Sequence, residues 1–385
     1  MDRRHFLQLS SALAISAGSM GLPAFAKAAP KKSLFLLIEL KGGNDGLNTL
    51  VPYKDPLYFS ARPTISLSAD TLLPVSDSLA LHHSLSALLP QWDTKQLALL
   101  QGVGYPAPNF SHFRSIDIWD TASNSNQYLQ EGWLSRFVQT NGKQFNQIAD
   151  GLIFGTDTLG PFAGKSNALV ISKNLKLETL DEQPTMIQPA SSSKNDALAH
   201  LNAVSAELNQ AKYGLRKQDV ATNFPNSTFG NDLKLLASYL AGGSEINIAR
   251  VSLSGFDTHT NQLSRQKRLL QEFAEGITAF SEEMKQQNRW DDTLILTYAE
   301  FGRRVKENQS GGTDHGTANV HFALGGRVKG GFYGNTPSLA QLDNGNLVAN
   351  IDFRQIYATV LSQWWQTSPT KVLGKPFENI PFILS

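Results

Sequence analysis

The 385-residue chain has no cysteine. Without thiols it can form no disulfide and no thiolate metal site, so a metal would have to be held by histidines and carboxylates. Charge of one sign is missing too: 34 Lys and Arg stand against 33 Asp and Glu, a formal net charge of +1. That balance argues against the basic surface used to hold nucleic acid or anionic membranes. Nor is there an apolar run near the ~20 residues that a membrane span needs, so no transmembrane anchor is expected. What remains is ordinary: 41% hydrophobic and 17% charged residues, with length enough for a sizeable core.

The first 30 residues read "MDRRHFLQLSSALAISAGSMGLPAFAKAAP". Arg3-Arg4, a mildly apolar stretch rich in Ser and Gly, and Ala24-Phe25-Ala26 together read as a twin-arginine export signal, residues 1–26, cut after Ala26. The expected partner is the twin-arginine translocase, and the expected location is periplasmic or secreted. This route carries folded proteins, which favours a metal loaded before export.

Beyond the signal, buried-strand runs recur: "SLFLLIEL" (33–40), "QLALLQGVG" (96–104), "GLIFG" (151–155), "NALVIS" (167–172), "INIARVSL" (246–253), "DTLILTYA" (292–299) and "VHFALGG" (320–326). Helical patterns lie between them at 195–215, 228–243, 261–287 and 353–365. Buried strands alternating with amphipathic helices predict an α/β fold, a mostly parallel central sheet flanked by helices. No boundary shows within 33–385, so one domain is expected, with a helical insertion around 185–245.

Ligands of parallel sheets bind beyond the carboxyl ends of the strands. The loops there carry Asn44 and Asp45; Ser111, His112 and Arg114; Asp257 and His259; Glu300, Arg303 and Arg304; and Asp314-His315 just before the 320–326 run. Each has a plain alternative. Asp45 can bond its own turn, Ser111 can cap the helix that follows, and Glu300 can pair with a neighbouring arginine. Their clustering points instead to one site. Asp257, His259 and His315 would bind a divalent metal, zinc or manganese, and Asp45 and Glu300 a second ion or the same one. Ser111, at a helix start beside the metal, would be the nucleophile. Arg114, Arg303 or Arg304 would clamp a tetrahedral anion. The implied reaction is hydrolysis of a phosphate or sulfate ester, with an anionic ester as substrate.

The stretches "LKGGNDGLNTLVPY", "VGYPAPNFSHFRSIDIWDTA", "GWLSRF", "GFDTH", "EFGRRVKEN" and "GTDHGTANVHFALGGRVKGG" resemble the bacterial family known as domain of unknown function 1501. That family is grouped with alkaline phosphatases and sulfatases, and the resemblance implies their α/β fold. By resemblance, Asp45 matches the early-strand metal carboxylate, Ser111 the nucleophile, and Asp257 with His259 a later ligand pair. Glu300-Phe301-Gly302 stands where the clan has Asp-His-Gly, so Phe301 replaces a ligand. His315 matches the clan's late histidine, with Asp314 and Asn44 supporting the ligands from behind. The resulting expectation is an exported metal-dependent ester hydrolase. The alternative is a non-catalytic periplasmic binding or assembly protein on a degenerate phosphatase-like scaffold.

Overall fold

The run at 33–40 builds the centre of the molecule. It forms β1, Leu34–Lys41, and its side chains are buried on both faces. Leu34, Leu36, Ile38 and Leu40 enter one apolar cluster, while Phe35 and Leu37 enter another across the sheet. Alternate side chains of a strand point to opposite faces, so a strand covered on both sides must be apolar throughout. Each such side chain contributes roughly 1.5–3 kcal/mol by leaving water.

The structure is a computed structural model describing residues 33–141, 149–171 and 214–384. The remaining strands of the main sheet are β2 (Leu97–Gly104), β3 (Gly151–Phe154), β4 (Ala168–Val170), β5 (Ile248–Ser254), β6 (Thr293–Tyr298), β7 (Asn319–Leu324), β8 (Gly331–Tyr333) and β9 (Ile351–Asp352). Their order is β8-β2-β7-β6-β1-β5-β3-β4, with β9 also on β2. β7 runs antiparallel to both its neighbours, and every other pair is parallel. The expected α/β class, a mostly parallel sheet flanked by helices, is therefore what the chain forms. β8 and β9 were not expected; at three and two residues they are too short to show a pattern.

Helices α1 (His112–Thr121), α2 (Trp133–Asn141) and α5 (Phe353–Thr359) supply the second cluster, through Trp119, Trp133, Phe137 and Tyr357 among others. Helices α3 (Thr228–Ala241) and α4 (Gln262–Gln286) supply the first, through Phe229, Leu233, Leu270 and Phe273. Of the insertion expected at 185–245, residues 185–213 lie outside the described residues, as do the expected export signal at 1–26 and most of the 195–215 pattern. The part at 228–241 packs on α4 as core.

Register sets the site. β1 pairs with β5 from Phe35–Ile248 to Lys41–Ser254, and with β6 from Leu34–Thr293 to Glu39–Tyr298. The three strands end nearly level, so the loops after them meet. Because β7 is reversed, the segment before it arrives at the same edge. No described helix is long and apolar enough to cross a membrane.

Candidate metal centre

Gly42 and Gly43 leave β1 with φ of +114° and +78°, in the left-handed region open to glycine. A Cβ on Gly42 would lie 2.3 Å from the Asp257 nitrogen. Only glycine lets the loop after β1 approach the loop after β5 so closely. The two freed amides are put to use: Gly42 N–H donates to both carboxylate oxygens of Glu300 at 3.0 and 3.1 Å, and Gly43 N–H donates to Oε2 at 3.2 Å. Glu300, buried, then accepts the Nδ1–H of His112 at 2.8 Å. That bond, aided by the Glu300 and Asp257 charges, raises the His112 pKa against its burial. It leaves Nε2 of His112 turned toward Asp257 Oδ2, 3.5 Å away.

Three groups converge more tightly. Nε2 of His259 lies 3.0 Å from Nε2 of His315, and the two lie 3.1 and 3.4 Å from Asp257 Oδ1. The far nitrogen of each ring is held by a pure acceptor: Asp314 Oδ1 at 3.2 Å for His259, the Phe110 carbonyl at 2.7 Å for His315. Those acceptors assign the hydrogen to Nδ1 in both rings. Both Nε2 lone pairs then face one another, which is repulsive unless a cation lies between them.

The triangle edges are close to the roughly 3.3 Å that separates tetrahedral ligands at zinc–nitrogen distances of about 2.0–2.1 Å. Acceptors behind ligating histidines are what metal sites use to fix tautomer and orientation. The donor set therefore fits a divalent ion held by Asp257, His259 and His315, with His112 beside them. Ligand atoms of His112, Asp257 and His315 all lie within 4.8 Å of one another.

Electrostatics agree. Burial above all, with the Arg303 charge adding to it, lowers the His315 pKa despite the bond to Phe110, which keeps the ring neutral as a ligand must be. Burial acts to raise the Asp257 pKa, but Arg303 and the nearby imidazoles outweigh it and hold the carboxylate ionised. Phe301 stacks on His315, ring centroids 4.3 Å apart, and tilts against His112 at 4.9 Å. It walls the two imidazoles.

Other expected site residues are placed differently. Asp45 is buried and engaged twice by Arg62, at 2.5 and 3.1 Å, as well as by Leu47 N–H at 3.1 Å and by Gln262. Asn44 bonds Thr49 and Gln266. In place of an anion, Arg303 serves backbone carbonyls of Gly42, Gly43, Phe256 and Thr313, plus Asp257 at 2.7 Å. Arg114 pairs with Asp117, binds the carbonyls of 124, 125 and 127, and lies 3.9 Å from the Tyr128 ring centroid. Glu300 stands behind His112 instead of among the ligands, and Asp314 supports His259 where His315 was expected. Ser111 occupies the N-cap position of α1, exposed, with no capping bond from its hydroxyl. Arg304 lines a hollow of about 320 Å3 with Phe110, His259, Asp314 and His315. In the sequence His112 stood out only by its adjacency to Ser111 in "NFSHFRS", and Ser111 drew the functional role; the fold brings His112 beside Asp257 and His315.

No curated protein matches the chain in sequence. Solved structures resemble it distantly. The zinc complex of the C-terminal periplasmic domain of EcEptC from Escherichia coli is 11% identical, with 79% of this chain and 76% of that one covered and a TM-score of 0.40. A protein in the alkaline phosphatase superfamily from Vibrio parahaemolyticus is 12% identical, covering 98% and 79%, with a TM-score of 0.39. The phosphonate monoester hydrolase of Agrobacterium radiobacter is 10% identical, covering 90% and 78%, with a TM-score of 0.37. Likeness at this level assigns no chemistry. The model of the DUF1501 proteins of unknown function matches residues 32–375, most of the chain, and the protein belongs to that family.

Proposed function

We propose that this chain is an exported, metal-dependent hydrolase of a phosphate or sulfate ester. The observation that carries the reading is the facing pair of Nε2 atoms on His259 and His315, 3.0 Å apart over Asp257. Asp257, His259 and His315 would hold zinc or manganese, with His112 placed to join them. Asp45 and Glu300, expected as ligands of a second ion, act here as loop anchors. Once bound, the ion supplies positive charge that stabilises the reacting oxygens.

Ser111 is the proposed nucleophile. Its hydroxyl caps nothing, and it sits between Phe110, whose carbonyl orients His315, and His112. Its oxygen would bond to phosphorus or sulfur as the ester oxygen leaves, the serine proton passing to that oxygen to give the alcohol; water would then hydrolyse the seryl ester, releasing phosphate or sulfate and restoring the serine hydroxyl. Arg304 is the arginine placed to receive the anion, since Arg114 and Arg303 are spent on the protein. That loss of two arginines favours the second reading, a metal-dependent binding protein without turnover.

The test is elemental analysis of the purified protein, followed by a panel of aryl phosphate and sulfate esters with Ser111→Ala and His259→Ala beside the parent. The proposal expects stoichiometric metal and turnover that both substitutions abolish. Metal-free protein after loading sinks the metal centre. Bound metal with no turnover on any ester leaves the binding-protein reading.

A further inference from the structure

A second cavity borders the candidate metal centre, lined by residues other than those of the Arg304 hollow. A cavity of about 670 Å3 is lined by His112, Asp257 and Glu300 at one end. At its floor are Glu39, Asp120 and Arg250, all buried. At its rim stand Phe113, 88% exposed, and Tyr128, 74% exposed.

The floor is built from charged groups with unused capacity. Arg250 donates to Glu39 at 2.9 Å and to the Thr158 carbonyl at 2.9 Å, and Ser252 donates to Glu39 at 2.7 Å. Nε of Arg250 is buried and has no partner among the described residues. Asp120 accepts from Tyr298 at 3.2 Å. Burial drives its carboxyl up to about 7, against the pull of Arg250, so near neutrality it can donate as well as accept. Alternating donors and acceptors suit hydroxyl groups, each of which both gives and takes a hydrogen bond. The Glu39 carboxylate at the floor and Asp117 in the lining disfavour a nucleotide or other polyanion.

The rim offers what the other face of a hydroxylated ring needs. Phe113 is the second residue of α1, directly after His112, and projects its ring into solvent, where an apolar side chain gains nothing in the free protein. Tyr128 is pinned against Arg114, which gives that arginine a purpose other than binding an anion.

We infer that this cavity binds the leaving group of the ester, and that the leaving group is a neutral sugar ring, stacked on Phe113 and hydrogen-bonded by Glu39, Asp120 and Arg250. The leaving-group role rests on the hydrolase reading; the binding does not. The experiment is saturation-transfer NMR on the zinc-loaded full chain with a panel of neutral methyl hexopyranosides and their disaccharides, alongside hydrolysis of matching 6-phosphate and 6-sulfate esters. Transfer should fall mainly on one face of the ring, and Phe113→Ala should weaken binding about fivefold, as loss of a stacking ring does. Phe113 is so exposed that this variant will fold. Asp120→Ala, which removes both the donor and the acceptor, should weaken it as well. Absence of transfer from every neutral sugar, or transfer that Phe113→Ala leaves unchanged, overturns the inference. Sugar binding without hydrolysis of any sugar ester leaves the cavity assigned and overturns the hydrolase reading instead.

Discussion

Nε2 of His259 and Nε2 of His315 face each other across 3.0 Å, each ring held from behind by an acceptor. Two neutral imidazoles do not adopt this arrangement for its own sake. A cation between them would convert repulsion into coordination, and the adjacent Asp257 carboxylate would add a charged ligand.

Metal affinity should therefore depend on Asp314, which touches no ligand atom at the centre. It holds Nδ1 of His259 and also accepts from Asn308. Asp314→Ala should lower zinc affinity by about 10- to 100-fold, the usual cost of losing an outer partner. His259→Ala should lower it further, by removing a ligand outright. Competition against a chromophoric chelator measures both. Equal affinity in Asp314→Ala and the parent would place the ion elsewhere.

Asp45 and Arg303 should behave as framework. Asp45→Asn leaves Arg62 charged, buried and unpaired, a loss of about 3–5 kcal/mol. Arg303→Met takes donors from four backbone carbonyls, a loss of about 3 kcal/mol or more. Denaturant unfolding reads both. Zinc stoichiometry in Asp45→Asn should stay at the parent value; a drop would return Asp45 to the ligand set.

These two residues mark how far the sequence is legible. Seven buried runs were placed from pattern alone, because a strand covered on both faces has to be apolar, and the strand ends then located the site loops. Partner choice was not readable. Asp45 in a Gly-rich turn looks the same whether it meets a metal or Arg62, and "PLYFSAR" carries no mark of an arginine aimed back at it. Glu300 looked like a ligand because its partners, Gly42 and Gly43, lie 258 and 257 residues away. Phe301, which reads as a missing ligand, becomes in three dimensions a wall for two imidazoles.

Arg304 separates catalysis from framework. It donates to the Asn344 carbonyl at 2.9 Å, lines the hollow beside His259 and His315, and is half-buried. Arg304→Gln should fold normally and raise KM for the anionic ester about tenfold or more, as loss of a charge-assisted contact does. Steady-state kinetics on the best ester of the panel decides. An unchanged kcat/KM would remove Arg304 from anion recognition.

Acid should destabilise the fold through His321, which is not among the proposed ligands. It is fully buried on β7, edge-on to Trp119 at 5.2 Å, and neither ring nitrogen has a partner among the described residues. Burial lowers its pKa from 6.5 to about 3. Between those values the unfolded chain binds a proton that the folded one refuses. Stability from this group is complete above pH 6.5 and is lost as pH falls toward 3, by on the order of 4 kcal/mol at the lower limit. His321→Phe removes the titrating ring and its two unsatisfied nitrogens while keeping an aromatic of similar shape. The variant should be at least as stable as the parent at pH 7 and lose less stability between pH 6.5 and 4. Urea midpoints measured across that range check it, and parallel curves for the two proteins would show that another group governs the acid limb.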